Sequence, residues 1–146
     1  MKAIGMILLT IFLGKSCSNE AQNDINNAVL QYSAHTRGFH LKIIVNNQTA
    51  TVSKGRTPDS MTQTQTKISD SDWKELIALF EKTNLETFPD LKDPTQKRHY
   101  DGAAIADLKV RYQDKNFETV DFDHGFPPAE IEGLVNKIVA LTDEKE

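Results

Sequence analysis

The segment FHLKIIVN, residues 39–46, alternates strictly. Phe39, Leu41, Ile43 and Val45 fall on one side of an extended chain, and His40, Lys42, Ile44 and Asn46 on the other. A period of two fits a strand with one buried face; a helix of the same composition would repeat its apolar residues every three or four positions. The pattern returns at 104–112, where Ala104, Ala106, Leu108, Val110 and Tyr112 oppose Asp107, Lys109 and Arg111. Strands of this kind form a sheet whose apolar face must be covered by another layer.

The remaining segments supply that layer. Val29–His35 reads as a strand, followed by a turn at Thr36-Arg37-Gly38. Asn46-Asn47-Gln48 turns the chain into a second return, Thr49–Lys54. Gly55–Ser60 is a loop by composition. TQTQTKI, 62–68, has strand propensity but no large apolar residue except at its end, which suits a sheet edge. Ser69 fits a helix N-cap with Asp70 and Asp72 in the first turn, and Trp73, Leu76, Ile77 and Phe80 share one face of the helix that follows. Residues 85–102 form an irregular connection pinned by Leu85, Phe88 and Leu91. After the 104–112 strand, QDKN closes a hairpin and FETVDFDH returns. Pro128 suits the first position of a second helix carrying Ile131, Leu134, Val135, Ile138 and Leu141. Five or six mainly antiparallel strands in two groups, each followed by an amphipathic helix, predict an α+β two-layer sandwich with both helices on one face. The domain is expected over 28–142, with 143–146 as a frayed tail.

The chain start speaks to location. Lys2 precedes an uncharged apolar run, Ala3–Leu13, which is too short to span a bilayer as a helix and matches the hydrophobic region of a secretory signal over 1–16. Cys17 is the only cysteine, so no intramolecular disulfide forms. The segment Leu13-Gly14-Lys15-Ser16-Cys17 resembles a bacterial lipoprotein signal, with Lys15 where a small residue is usual. That resemblance implies acylation (palmitate) at Cys17, a polar tether over 17–27 and a membrane-anchored, envelope-facing domain. The alternative is an ordinary signal peptide with an incidental cysteine. Without Lys2 and Lys15, the 17 basic residues fall to 15 against 21 acidic ones, a net charge of −6. This argues against nucleic acid as a partner, which needs a basic face.

Two clusters suggest chemistry. In VDFDHGFPPAE, 120–130, an unbroken strand over 117–124 would place Phe117, Thr119, Asp121 and Asp123 on the solvent side and Val120, Phe122 and His124 on the core side. Asp123 and His124 are then turn residues before Gly125 and the proline pair. In RHYDG, 98–102, His99 and Asp101 could approach His124 and hold a metal, although no HExxH or CxxC spacing supports it; otherwise Arg98 or Tyr100 bonds into the neighbouring turn. Arg37, His99, Asp101, Asp123 and His124 are therefore candidate binding or turn residues. No cofactor motif is visible: there is no GxSxG and no phosphate-binding glycine loop. Asp59-Ser60-Met61 resembles the O-glycosylation acceptor of Bacteroidota, which nominates Ser60, and Asn47-Gln48-Thr49 fits the N-glycosylation pattern.

From Tyr32 to Leu141, the segments QYSAHTRGFHLKI, ISDSDWKELIALF, RHYDGAAIADLKV and VDFDHGFPPAEIEGLVNKIVAL resemble a flavobacterial-type family of Bacteroidota lipoproteins, which implies location but no activity. AHTRGF, the DW–L–L–F helix and PPAEIEGLV also resemble, more loosely, emfourin-like inhibitors of thermolysin-type metallopeptidases. The expected function is a lipid-anchored, non-catalytic binding or accessory module of the cell envelope that uses loops at one sheet end. The alternatives are a metallopeptidase inhibitor presenting the Thr36–Phe39 turn or a nearby loop to a protease cleft, and a metal-dependent hydrolase using His99, Asp101 and His124.

Overall fold

The computed structural model describes residues 25–143. The expected signal peptide, Cys17, residues 18–24 and tail residues 144–146 lie outside them. Among the described residues there are seven strands: β1 (Val29–Thr36), β2 (Phe39–Asn46), β3 (Thr49–Gly55), β4 (Thr62–Lys67), β5 (Ile105–Tyr112), β6 (Lys115–Glu118) and β7 (Phe122–Asp123). They form one antiparallel sheet in the order β4-β3-β2-β1-β5-β6, and β7 also pairs with β5. Two helices, α1 (Asp70–Glu81) and α2 (Glu132–Ala140), complete an α+β sandwich. No helix among the described residues is long and apolar enough to cross a membrane.

The alternation read from sequence becomes burial. Leu30, Tyr32 and Ala34 of β1, Leu41, Ile43 and Val45 of β2, and Ala106, Leu108 and Val110 of β5 are all buried. Against them lie Trp73, Leu76 and Phe80 of α1 and Leu134, Val135 and Ile138 of α2. Full burial of one such aliphatic side chain contributes about 1.5–3 kcal/mol. Ser69 caps α1, its Oγ accepting from the Asp72 N–H at 3.2 Å. Lys137 of α2 ties the helices together, 2.5 Å from Asp72 Oδ1 and 2.8 Å from Glu75 Oε2.

Three boundaries differ from expectation. Ile25, placed by sequence in the tether, is buried in the core, because an apolar residue near the start of β1 gains more from burial than from solvent. Pro128 is extended (φ −52°, ψ 143°) and stands before a 3-10 turn, Ala129–Ile131, that leads into α2, so the proline caps the turn instead of opening the helix. Asp143 ends a 3-10 turn, Leu141–Asp143, that continues from α2.

The larger difference lies in the return from β5. β6 pairs Val110 with Phe117 and Lys109 with Glu118, whereas β7 pairs Ala106 with Phe122 and Ile105 with Asp123. Between these pairs β5 spends Asp107 and Leu108, and the returning chain spends Thr119, Val120 and Asp121. One extra residue makes a β-bulge. Thr119 sits at its start: its N–H donates to Leu108 O at 3.0 Å, and its Oγ1 accepts from Leu108 N–H at 3.1 Å, taking a role a backbone carbonyl would fill. A one-residue slip exchanges the two faces of a strand. Thr119 is consequently buried and Phe117 packs against the core, on the side opposite to that expected, while Phe122 still reaches the core.

Candidate functional site

At one end of the sheet, the β1–β2 turn, the start of β5, the loop over 93–102 and the corner after β7 come together. Thr36 Oγ1 donates to Gly102 O at 3.3 Å, and His124 N–H donates to Ala104 O at 2.9 Å. Gly102 (φ +67°) and Gly125 (φ +90°) adopt left-handed backbone, which lets both segments reverse within a few residues.

Asp123 organises this end, and it does so from the interior. It is fully buried, not solvent-facing as an unbroken strand would require. It keeps its place opposite Phe122, paired with Ile105, and is enclosed because the 93–98 segment folds over it. Its Oδ2 accepts from Thr95 Oγ1 at 2.5 Å and from Lys97 N–H at 2.6 Å. Its Oδ1 accepts from Arg98 N–H at 3.0 Å and Arg98 Nη1 at 3.1 Å. Arg98 Nη1 also reaches Asp93 Oδ2 at 2.5 Å. Burial alone would raise the Asp123 pKa, but the bonds from Thr95, Arg98 and Lys97 outweigh it and hold the carboxyl at about 2. The two aspartates raise the Arg98 pKa further, chiefly through the bond to Asp93.

His124 turns inward. The Tyr32 hydroxyl lies 2.6 Å from His124 Nδ1, and the ring packs against Tyr32 and Phe39 at centroid distances of 5.8 and 5.7 Å. A buried phenol requires an acceptor, so the hydroxyl donates to Nδ1 and the imidazole proton resides on Nε2. Burial lowers the His124 pKa; burial, followed by the negative charge of Asp107, raises that of Tyr32. Both directions keep the pair neutral.

The same end carries exposed groups. Tyr100 is 72% exposed and Phe126 42%, the large hydrophobic side chains that stand out among the described residues. Lys97 Nζ sits 4.1 Å from the centre of the Phe126 ring. Arg37 is exposed in the adjacent β1–β2 turn, and His99 and Asp101 are exposed beside Tyr100. Below the turn, His35 and His40 stack directly across β1 and β2, with centroids 6.0 Å apart.

The metal site does not form. Among the described residues no three His, Cys, Asp or Glu side chains come together in a way that could hold a metal ion. His99 and Asp101 are exposed, whereas His124 is committed to Tyr32. The hydrolase built on this trio is therefore not supported. Arg98, one of the two expected turn partners, makes the structural bond; Tyr100 is left to solvent. Ser60 lies exposed in a 3-10 turn, Pro58–Ser60, where its Oγ accepts from Thr57 N–H at 3.0 Å and bonds Thr57 O at 3.2 Å.

On the sheet face away from the helices, Gln31, Lys109, Arg111, Asn116 and Glu118 line an open groove of about 570 Å³. Lys109 Nζ lies 3.4 Å from Glu118 Oε1 and 3.8 Å from Asp107 Oδ2, so these charges meet one another across it.

Sequence reasoning missed Asp93, Thr95 and Tyr32 as members of this end. Asp93-Pro94-Thr95 has turn composition that marks a polar loop, but nothing local says whose carboxylate it wraps. Tyr32 reads as an ordinary inward residue of β1. The chain matches no protein-family model, and no curated protein shows significant similarity to it.

Proposed function

We propose that this chain is a lipid-anchored, non-catalytic binding or accessory protein of the bacterial cell envelope, of the kind the Bacteroidota lipoprotein resemblance suggests. In this reading residues 1–16 direct export and Cys17 carries the lipid that is the membrane contact. The folded domain meets an envelope protein or ligand through the sheet end bearing Arg37, Tyr100 and Phe126. The observation that carries the reading is the pairing of rigidity with exposure. Tyr100 and Phe126 stand in solvent, yet the segments on which they ride are fixed by the buried Asp123 carboxylate and by the Tyr32–His124 bond. Preorganised aromatic side chains bind with little loss of conformational entropy. The polar groups beneath them are bonded to one another, which favours a structural role over catalysis.

The test is photo-cross-linking in the producing cell, with the probe at 100, at 126 or, as a control at the opposite sheet end, at 114. The expected result is one shared adduct from 100 and 126 that is missing from 114. Equal labelling from all three positions sinks the proposal. The anchor is checked separately by incorporation of a palmitate analogue, which Cys17→Ala should abolish.

A second reading, peptidase inhibition, draws on the Thr36–Phe39 turn. Its tip residue Arg37 is exposed while Thr36 and Phe39 are tied to Gly102 and His124. Stoichiometric slowing of a thermolysin-type enzyme, lost in Arg37→Ala, would select it.

A further inference from the structure

Among the described residues β4 forms the outer edge of the sheet and pairs with β3 alone, and all six of its residues are exposed. We infer that this edge joins two copies of the chain, with β4 pairing antiparallel to its own counterpart about Thr64.

Backbone geometry decides which groups are open. Ile68 N–H donates to Gln48 O at 2.8 Å, and this pair continues the β3–β4 register of Thr49 with Lys67 and Ala50 with Thr66. Hydrogen-bonded pairs alternate along an antiparallel ladder. Thr62, Thr64 and Thr66 therefore turn their backbone groups to β3, and Gln63, Gln65 and Lys67 turn theirs to the free edge.

The sequence fits that edge to itself. TQTQT, 62–66, reads the same in both directions around Thr64. With a two-fold axis through Thr64 perpendicular to the sheet, Gln63 of one copy faces Gln65 of the other, and each such pair exchanges both backbone bonds. Thr64 faces its counterpart and Thr62 faces Thr66, giving matched cross-strand pairs on the helix side. Lys67, the strand's only charge, falls opposite Met61 and not another lysine. Thr62–Lys67 contains no proline, and no charge interrupts its centre, so the usual devices that block edge pairing are missing where the copies would meet. On the helix side, an open groove of about 200 Å³ between Thr62, Thr64, Thr66, Leu141 and Thr142 leaves room for the counterpart's threonines. An edge pair this short buries less than the roughly 1,200 Å² of a standard interface, so the dimer is weak when dilute and grows with concentration.

Disulfide trapping in the full chain carrying Cys17→Ala tests both the pairing and its register. Thr64→Cys puts the two sulfur-bearing residues in a non-hydrogen-bonded pair, with Cα atoms roughly 4.5 Å apart, within disulfide reach. Thr62→Cys lies roughly 14 Å from its own counterpart but faces position 66. Mild oxidation should give about tenfold more covalent dimer for T64C than for T62C alone, and T62C mixed with T66C should cross-link. Adding Gln65→Pro removes an N–H that faces outward while leaving the β3 ladder intact. It should suppress the T64C dimer about tenfold with the circular dichroism spectrum unchanged. Equal trapping of T64C and T62C, no trapping of T64C, or a dimer that survives Gln65→Pro would each overturn the inference.

Discussion

Asp123 holds Arg98 at two points at once: its Oδ1 lies 3.0 Å from the Arg98 backbone nitrogen and 3.1 Å from Nη1. The carboxylate thus fixes both the path of the 93–102 loop and the charge that neutralises it. This bond connects β7 to the exposed Tyr100, because Asp123 constrains the segment that carries it.

Asp123→Ala should destabilise the fold by roughly 3–5 kcal/mol, the usual cost of leaving one partner of a buried pair. The charge also imposes a pH dependence. A folded pKa of about 2 against an ordinary 3.8 means the stabilisation is complete above pH 3.8 and declines as pH falls toward 2. Urea unfolding at pH 7 and at successive steps below pH 4 measures both effects, and Asp123→Asn should flatten the acid slope.

The Tyr32–His124 pair predicts a second slope of a different origin. Burial depresses the folded His124 pKa below 6.5, so the unfolded chain takes up a proton before the folded one does. Stability should fall as pH drops below 6.5 and level off below the folded value. Tyr32→Phe leaves Nδ1 without its donor and should cost about 1–3 kcal/mol at neutral pH. An NMR titration of the His124 ring, alongside unfolding midpoints from pH 5 to 8, checks both statements.

Two glycines should respond differently to alanine. At Gly125 a Cβ would meet nothing within 4 Å, but φ is +90°, so Gly125→Ala should cost roughly 1–3 kcal/mol through backbone strain alone. At Gly55 a Cβ would stand 2.8 Å from the Met61 Cα and N, a backbone clash that only movement of the β3–β4 connection can relieve. Thermal unfolding should show the larger loss for Gly55→Ala, and hydrogen exchange should place that loss in β4.

Tyr100→Ala should leave stability within about 0.5 kcal/mol of the parent, as for most exposed sites, while weakening the proposed partner cross-link from position 126. A drop in unfolding midpoint comparable to that of Asp123→Ala would show that Tyr100 is structural and not part of a binding surface.

Most of the architecture was legible because the forces that define it are local. Alternation at 39–46 and 104–112 fixed which side chains of β2 and β5 are inward, Ser69 with Asp70 and Asp72 marked the start of α1, and the polar TQTQTK segment announced an edge. The candidate site was legible only as a neighbourhood. FETVDFDH reads as one continuous strand, and its side chains were assigned by extending a period of two through residues that in fact bulge.

By itself, then, the sequence determined most of the sheet, the two covering helices and the core residues of β1, β2, β5 and the helices, since each follows from spacing along the chain. Tertiary structure decided that Thr119 slips the register, that Asp123 is enclosed by Thr95, Lys97 and Arg98, and that His124 pairs with Tyr32 instead of with His99 and Asp101. The physical reason is that bulge position is set by what the partner strand and the core accept. β5 offers Leu108 N–H to the Thr119 hydroxyl, and the core requires Phe122 inside; the carboxylate that follows can be buried only because a loop more than twenty residues away brings it donors.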